Sequence, residues 1–210
     1  MATSKAQRVG IWVIAVVMAV GTIGSFFVII LANDNAKVDQ DIALKQQEEY
    51  NKVVKEYQEK IDAQNKVLTA QYFGEFSGYA SQVTAFDKDS VKELATEDLK
   101  IGDGEEIKEG TKYSAYYIGW NPDGEVFDQS IDGDKLKSPI PGGGLIEGWN
   151  KGVIGMKIGG VRVLTIPSDL AYKEAGSGDK IPPNTPLKFV VFAITTPEEV
   201  PIPDLSGTMK

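Results

Sequence analysis

Three patterns of apolar and polar positions follow one another along the chain. From Gly10 to Ala32 it reads GIWVIAVVMAVGTIGSFFVIILA, apolar and without a charge. As a helix these 23 residues reach about 34 Å, enough for a hydrocarbon core of ~30 Å. The pattern predicts a membrane-spanning helix over 10–32, preceded by a short segment, 1–9. A cleaved secretory signal is the alternative, but its apolar run would be shorter and end in a small-x-small site, which LANDNA offers poorly. Lys5 and Arg8 precede the span, whereas Asp34, Asp39 and Asp41 follow it with Lys37. The positive-inside rule then keeps the N-terminus in the cytoplasm and sends the remaining chain across the membrane.

The second pattern, 33–72, is rich in Lys, Gln and Glu and has neither Gly nor Pro. Apolar residues recur at Tyr50, Val54, Tyr57, Ile61 and Leu68, with Gln64 in the gap, which is the four–three spacing of a heptad seam. Asp41–Lys45, Glu48–Lys52 and Glu56–Lys60 place an acid four residues before a base, as helices favour. The reading is a helical stalk, up to ~54 Å long over 37–72. It either pairs with a copy of itself, making a homo-oligomer, or rests against its own domain. Where the heptad stops, FGEFSGYASQVT brings two glycines, and a linker is expected over 73–85. The last residues, 198–210, hold two prolines and a glycine with little apolar content and read as a loose tail.

The third pattern, 86–197, is one of strands and turns. Tyr113–Gly119 alternates like a half-buried strand, and NPDG at 121–124 is a turn signal. Val161–Ile166 and Leu187–Thr195 are β-branched and aromatic runs. Leu145–Gly152 is the short-helix candidate, bounded by glycines. Hairpins with one short helix make an α+β domain, and no strand–helix alternation suggests a nucleotide-binding sheet. The glycines at 142–144 and 176–178 lack the spacing of a phosphate loop, and Asp128, Asp132 and Asp134 lack that of an EF-hand.

Composition narrows the chemistry. The chain has no cysteine and no histidine, which excludes disulfides, thiol nucleophiles, zinc sites built on those residues and any triad with an imidazole base. A net charge of −8 argues against a nucleic-acid partner. Acid–base or covalent catalysis has few candidates, while Tyr113, Tyr116, Tyr117, Trp120, Phe127, Trp149, Tyr172, Phe189 and Phe192 make aromatics dense. They fit either a core or, gathered in a cleft, an apolar ligand pocket.

The blocks YYIGWNPDGEVFDQS, LIEGWNKGVIGMKIGGVRVLTIPSDLAY and IPPNTPLKFVVF, with LKIGDGEEIKEG upstream, resemble the successive blocks of an FKBP-type peptidyl-prolyl isomerase over 86–197. The resemblance implies a strongly bent antiparallel sheet wrapped around a short helix, with an apolar pocket between them. It implies catalysis of cis–trans isomerisation at Xaa-Pro bonds without cofactor or metal, proline-containing polypeptides as clients and macrolides as ligands. Trp149 would form the pocket floor, and Tyr117, Phe127 and Phe189 its aromatic walls. Leu145 and Ile146 would stand at the mouth and Ile181 on the loop closing over it. The Ile146 N–H and the Tyr172 hydroxyl would donate to substrate carbonyls. Asp128 would be a buried carboxylate at the pocket edge, bonded to the Tyr117 hydroxyl.

The chain departs from the family pattern in two places. Leu136, assigned to the substrate-binding wall, and Ser138 stand where aromatics are usual, in a stretch about one residue short. Lys173 replaces the glycine that usually follows the tyrosine. Arg162 is expected to face solvent or pair with an acid. Three functions follow. The first is a membrane-anchored isomerase for exported or surface proteins. The second is a catalytically weak, chaperone-like module that grips proline-containing segments. The third is a structural oligomer built on the stalk.

Overall fold

The computed structural model describes residues 36–203, with side-chain surroundings from residue 43 onward. The apolar span expected over 10–32 lies outside the described residues. Among those described, no helix is long and apolar enough to cross a membrane. Helix α1, Ala36–Phe76, contributes to two compact units. One contains residues up to Gln64 with those from Glu199 onward; the other is Asn65–Glu198.

In the first unit α1 carries solvated i, i+4 pairs. They are Lys52–Glu56 at 4.0 Å and Lys55–Glu59 at 3.8 Å, not the expected Glu48–Lys52 and Glu56–Lys60. Exposed pairs of either polarity are worth only tenths of a kcal/mol, so spacing alone does not decide which forms.

The second unit is built on an antiparallel sheet. Its strands are β1 (Ala95–Lys100), β2 (Ser114–Trp120), β3 (Val126–Gln129), β6 (Ile140–Pro141), β7 (Val161–Ile166) and β8 (Leu187–Ile194). The order is β1-β7-β8-β2-β3, and β6 shares with β3 the free edge of β2. A separate hairpin, β4 (Ile131–Asp132) with β5 (Lys135–Leu136), interrupts the chain between β3 and β6. The NPDG turn forms as its residues dictate: the Asn121 side-chain oxygen accepts from the N–H groups of Asp123 and Glu125, closing β2 onto β3.

The two-residue alternation of the strands sorts side chains into two cores. Ala115, Leu164, Ile166, Leu187, Phe189, Val191 and Ala193 meet helix α2 (Glu147–Gly152) through Trp149 and Val153. The helix can approach because Gly148 has no Cβ; one there would lie 2.2 Å from Ile166 Cγ2. On the other face, Tyr116, Ile118, Trp120, Val161, Val163, Val190, Phe192 and Ile194 pack with Phe76 at the end of α1.

That second core corrects two expectations. β2 is not half-buried: every residue but Tyr117 is fully buried, because both faces are covered. The segment 73–85 is not a linker. The helix runs to Phe76, a 3-10 helix follows over Ser77–Gln82, and Phe76 is fully buried, 6.0 Å from both Phe192 and Tyr116. Phe73, Tyr79, Val83 and Phe86 add apolar cover, Trp120 Nε1 donates to the Thr84 carbonyl (3.0 Å), and Phe86 N–H donates to that of Pro122 (2.9 Å). The glycines that signalled a linker lie on the exposed side, where a Cβ would meet nothing.

Arg162 meets the second of its two expectations and adds burial to it. It does pair with an acid, Asp98, through two bonds of 2.6 and 3.0 Å, but it is buried. Its other nitrogen donates to the carbonyls of Gly152 and Ile154, at 2.9 and 3.0 Å. A cation suits these unpaired carbonyls at the end of α2, so Arg162 pins the helix to β7.

Candidate active site

Between the inner face of the sheet and α2 lies a cavity of about 530 Å³, and its lining includes Tyr117, Phe127, Asp128, Ile140, Leu145, Ile146, Trp149, Tyr172, Ile181 and Phe189. The strands position most of the wall. Tyr117 and Gly119 stand two apart on β2, opposite Val191 and Phe189 of β8, and Gly119 also faces Asp128 of β3. A Cβ at Gly119 would lie 2.6 Å from the Phe127 ring and 2.7 Å from that of Phe189. The missing side chain therefore lets two aromatic walls close over the strand.

The rings meet largely edge to face. Centroids are 5.3 Å apart for Trp149–Phe189, 5.5 Å for Phe127–Phe189 and 5.8 Å for Tyr117–Trp149, all within ten degrees of perpendicular. Such contacts hold each ring's tilt as well as burying it. Trp149, 2% exposed, is the floor. Its indole N–H donates to the hydroxyl of Tyr113, itself buried, at 3.2 Å. Burial raises the Tyr113 hydroxyl's pKa, with the bond from Trp149 opposing it, so the acceptor stays protonated and neutral.

The polar side chains of the lining are Tyr117, Asp128 and Tyr172, with Ser177, Asp179 and Lys180 on the loop before Ile181. The Tyr117 hydroxyl donates to Asp128 Oδ2, and Gln129 N–H donates to Asp128 Oδ1 at 2.8 Å. Burial first, then the bond to Asp128, push the Tyr117 hydroxyl well above its usual pKa. The pKa of Tyr172 is raised by burial and by the Asp128 charge. Its hydroxyl makes no hydrogen bond among the described residues, nor does the N–H of Ile146, which caps α2. Ile181 is held over the pocket by the buried Asn121, whose Nδ2 donates to the Lys180 carbonyl at 3.1 Å. Lys180 Nζ in turn donates to the Val126 carbonyl at 3.0 Å.

Nine of the ten residues singled out from the sequence line this one cavity. Leu136 does not. It is buried in the outer core with Phe76, because the hairpin turns it away from the pocket. Ile140 of β6 lines the pocket instead. Asp128 is at the pocket edge but not buried: its side chain is 54% exposed, since β3 is an edge strand, and Lys137 Nζ lies 3.8 Å from it. Lys173 takes the glycine-like left-handed conformation directly, with φ of 57°, and its carbonyl accepts from Asn184 N–H at 2.8 Å. Tyr113, Gly119, Asn121 and Ile140 were not singled out for the site. Strand pairing brings Gly119 and Ile140 there, while Tyr113 and Asn121 act through bonds to Trp149 and to the loop before Ile181. Among the described residues, no group of three or more acidic, His or Cys side chains is placed to hold a metal.

Residues 103–194 match the model of the FKBP-type peptidyl-prolyl cis-trans isomerase domain. An FK506-binding protein of Neisseria meningitidis is 42% identical over 99 residues, covering 47% of this chain and 91% of that protein. The 39 kDa FK506-binding nuclear protein of Drosophila melanogaster is 44% identical over 95 residues, covering 45% of this chain but only 27% of its own. A solved peptidyl-prolyl cis-trans isomerase from Pseudomonas syringae is 32% identical with a TM-score of 0.43, covering 58% of this chain and 90% of its own. The chain belongs to the FKBP-type peptidyl-prolyl cis-trans isomerase family.

Proposed function

We propose that this domain accelerates cis–trans isomerisation of Xaa-Pro bonds in polypeptides, and that its clients are exported or surface proteins. The carrying observation is the cavity itself: a nest of aromatic rings flanked by two donors, the Ile146 N–H and the Tyr172 hydroxyl, with no protein partner among the described residues. Rotation about a prolyl bond faces a barrier of ~18–20 kcal/mol because twisting destroys amide resonance. The twisted amide is less dipolar than the planar one, so an apolar cavity favours it relative to water. Proline enters over Trp149, while the two donors hold neighbouring carbonyls in the twisted geometry. Asp128, fixed by Tyr117 and Gln129, orients the Tyr117 ring and shapes the rim. A thousandfold acceleration asks for only ~4 kcal/mol of preferential binding of the twisted form.

Supporting the location are the charge-free run over 10–32 and the basic residues before it, read as an anchor that leaves the domain outside the cytoplasm. The seam at Tyr50, Val54, Tyr57 and Ile61 is the candidate for self-association. Macrolides are candidate ligands of the same pocket, as FK506 is for the relatives that carry its name.

The test is the rate of isomerisation of an Xaa-Pro peptide by the full chain in detergent, beside folded Phe127→Ala and Asp128→Ala variants. Each variant is expected to lose about tenfold or more in kcat/KM, at least ~1.4 kcal/mol of transition-state binding. Unchanged rates in both would remove the pocket from the mechanism.

A further inference from the structure

The hairpin β4–β5 joins the pocket to the outer face of the sheet, and the rim depends on where it sits. Ser130, at its start, is buried and tied twice to Tyr117: its N–H donates to the Tyr117 carbonyl (2.8 Å), and its Oγ accepts from the Tyr117 N–H (2.9 Å). At its end, Lys137 N–H donates to the Ser130 carbonyl (2.9 Å), and Lys137 Nζ reaches the Gln129 carbonyl (2.8 Å) beside Asp128. Among the described residues, the strands of this hairpin pair only with each other. Beyond these ties and the core of the outer face, α1 adds side-chain bonds of its own. Leu136 N–H donates to Thr69 Oγ1 at 3.0 Å, Asn65 Nδ2 donates to Ser138 Oγ at 2.9 Å, and Leu136 is buried in the core that holds Phe76.

We propose that Thr69 is a positioning residue of the isomerase site. Its hydroxyl oxygen holds the Leu136 N–H, next to Lys137. Through Lys137 and Ser130, that fixes the stretch carrying Asp128 and the backbone of Tyr117. The proposal rests on the isomerase reading of the pocket and extends it. Thr69 lies 34 residues before the stretch that matches the family, so the working domain begins within α1. Thr69 does not touch the pocket, and its effect is on the geometry in which a peptide is received.

The test compares the full chain with Thr69→Val, which keeps the shape and removes the acceptor, and with Thr69→Ser, which restores it. Three quantities are read: KM and kcat for a proline peptide, the melting temperature, and hydrogen exchange at the Ser130 and Lys137 amides. A net hydrogen bond corresponds to about a fivefold change in an equilibrium. Thr69→Val is therefore expected to raise KM about fivefold with kcat within about twofold, and to speed exchange at both amides, while Thr69→Ser behaves as the parent. Unchanged exchange and KM in Thr69→Val would overturn the proposal, as would equal losses in the Ser and Val variants. A parent chain that does not isomerise the peptide would count against the isomerase reading instead. The exchange rates would then decide the positioning claim alone.

Discussion

Gly119 holds the two aromatic walls at their separation by having no side chain. Gly119→Ala puts a methyl where the Phe127 and Phe189 rings now lie, and both must move. The expected outcome is a loss of ~1–3 kcal/mol in denaturant unfolding and a fall in kcat/KM of about tenfold. Ionisation at this scale is equally specific. With no histidine or cysteine, no side chain has an ordinary pKa between about 5 and 8. The hydroxyls of Tyr116 and Tyr117 are raised by burial. A raised tyrosine contributes stability that is complete below the unfolded pKa of ~10 and is lost as pH rises beyond it. Activity is therefore expected to be flat from about pH 6 to 8.5. Stability should begin to fall above about pH 10, read by unfolding midpoints across that range. A step in activity near pH 7 would mean that another group controls the site.

At the scale of elements, the pocket depends on parts that never touch it. α2 is only six residues long, too short to hold itself, and Arg162 fastens its last carbonyls to β7 while Gly148 lets it approach Ile166. The end of α1 does the same for the outer face through Phe76. Phe76→Ala is expected to cost ~3–5 kcal/mol in the unfolding of the second unit. A loss under ~1 kcal/mol, the range of an exposed position, would mean that this end of α1 is dispensable. Strands and the short helix were legible because β-branched runs, the NPDG turn and flanking glycines are local signals. The role of Phe76 was not, since Gly74 and Gly78 read as a break while the apolar face that α1 covers is assembled from distant strands. Arg162 was half legible: an acid as partner was foreseen, but burial beneath α2 depends on the packing of two elements. Leu136 failed for a related reason. In a hairpin of two-residue strands, one step decides which face a side chain joins.

For the whole molecule, nine of the ten residues named from the family motifs share one cavity because the motif blocks lie on or beside the strands and the short helix that surround it. Asn121 was legible as a turn residue and Tyr113 as an aromatic, but their parts in holding Ile181 and Trp149, and those of Gly119 and Ile140, depend on partners distant in the chain. The central claim is that this pocket turns prolyl bonds over rather than merely gripping them. The most direct measurement is exchange NMR on a proline-containing peptide, with the full chain in detergent at about one hundredth of the peptide concentration. Uncatalysed exchange takes tens of seconds or longer, so catalysis stands out against a slow background. The account predicts faster interconversion of the cis and trans signals with their ratio unchanged, and loss of the effect in Phe127→Ala. Peptide signals that shift on titration with excess chain, with no gain in exchange, would contradict it and leave a binding module.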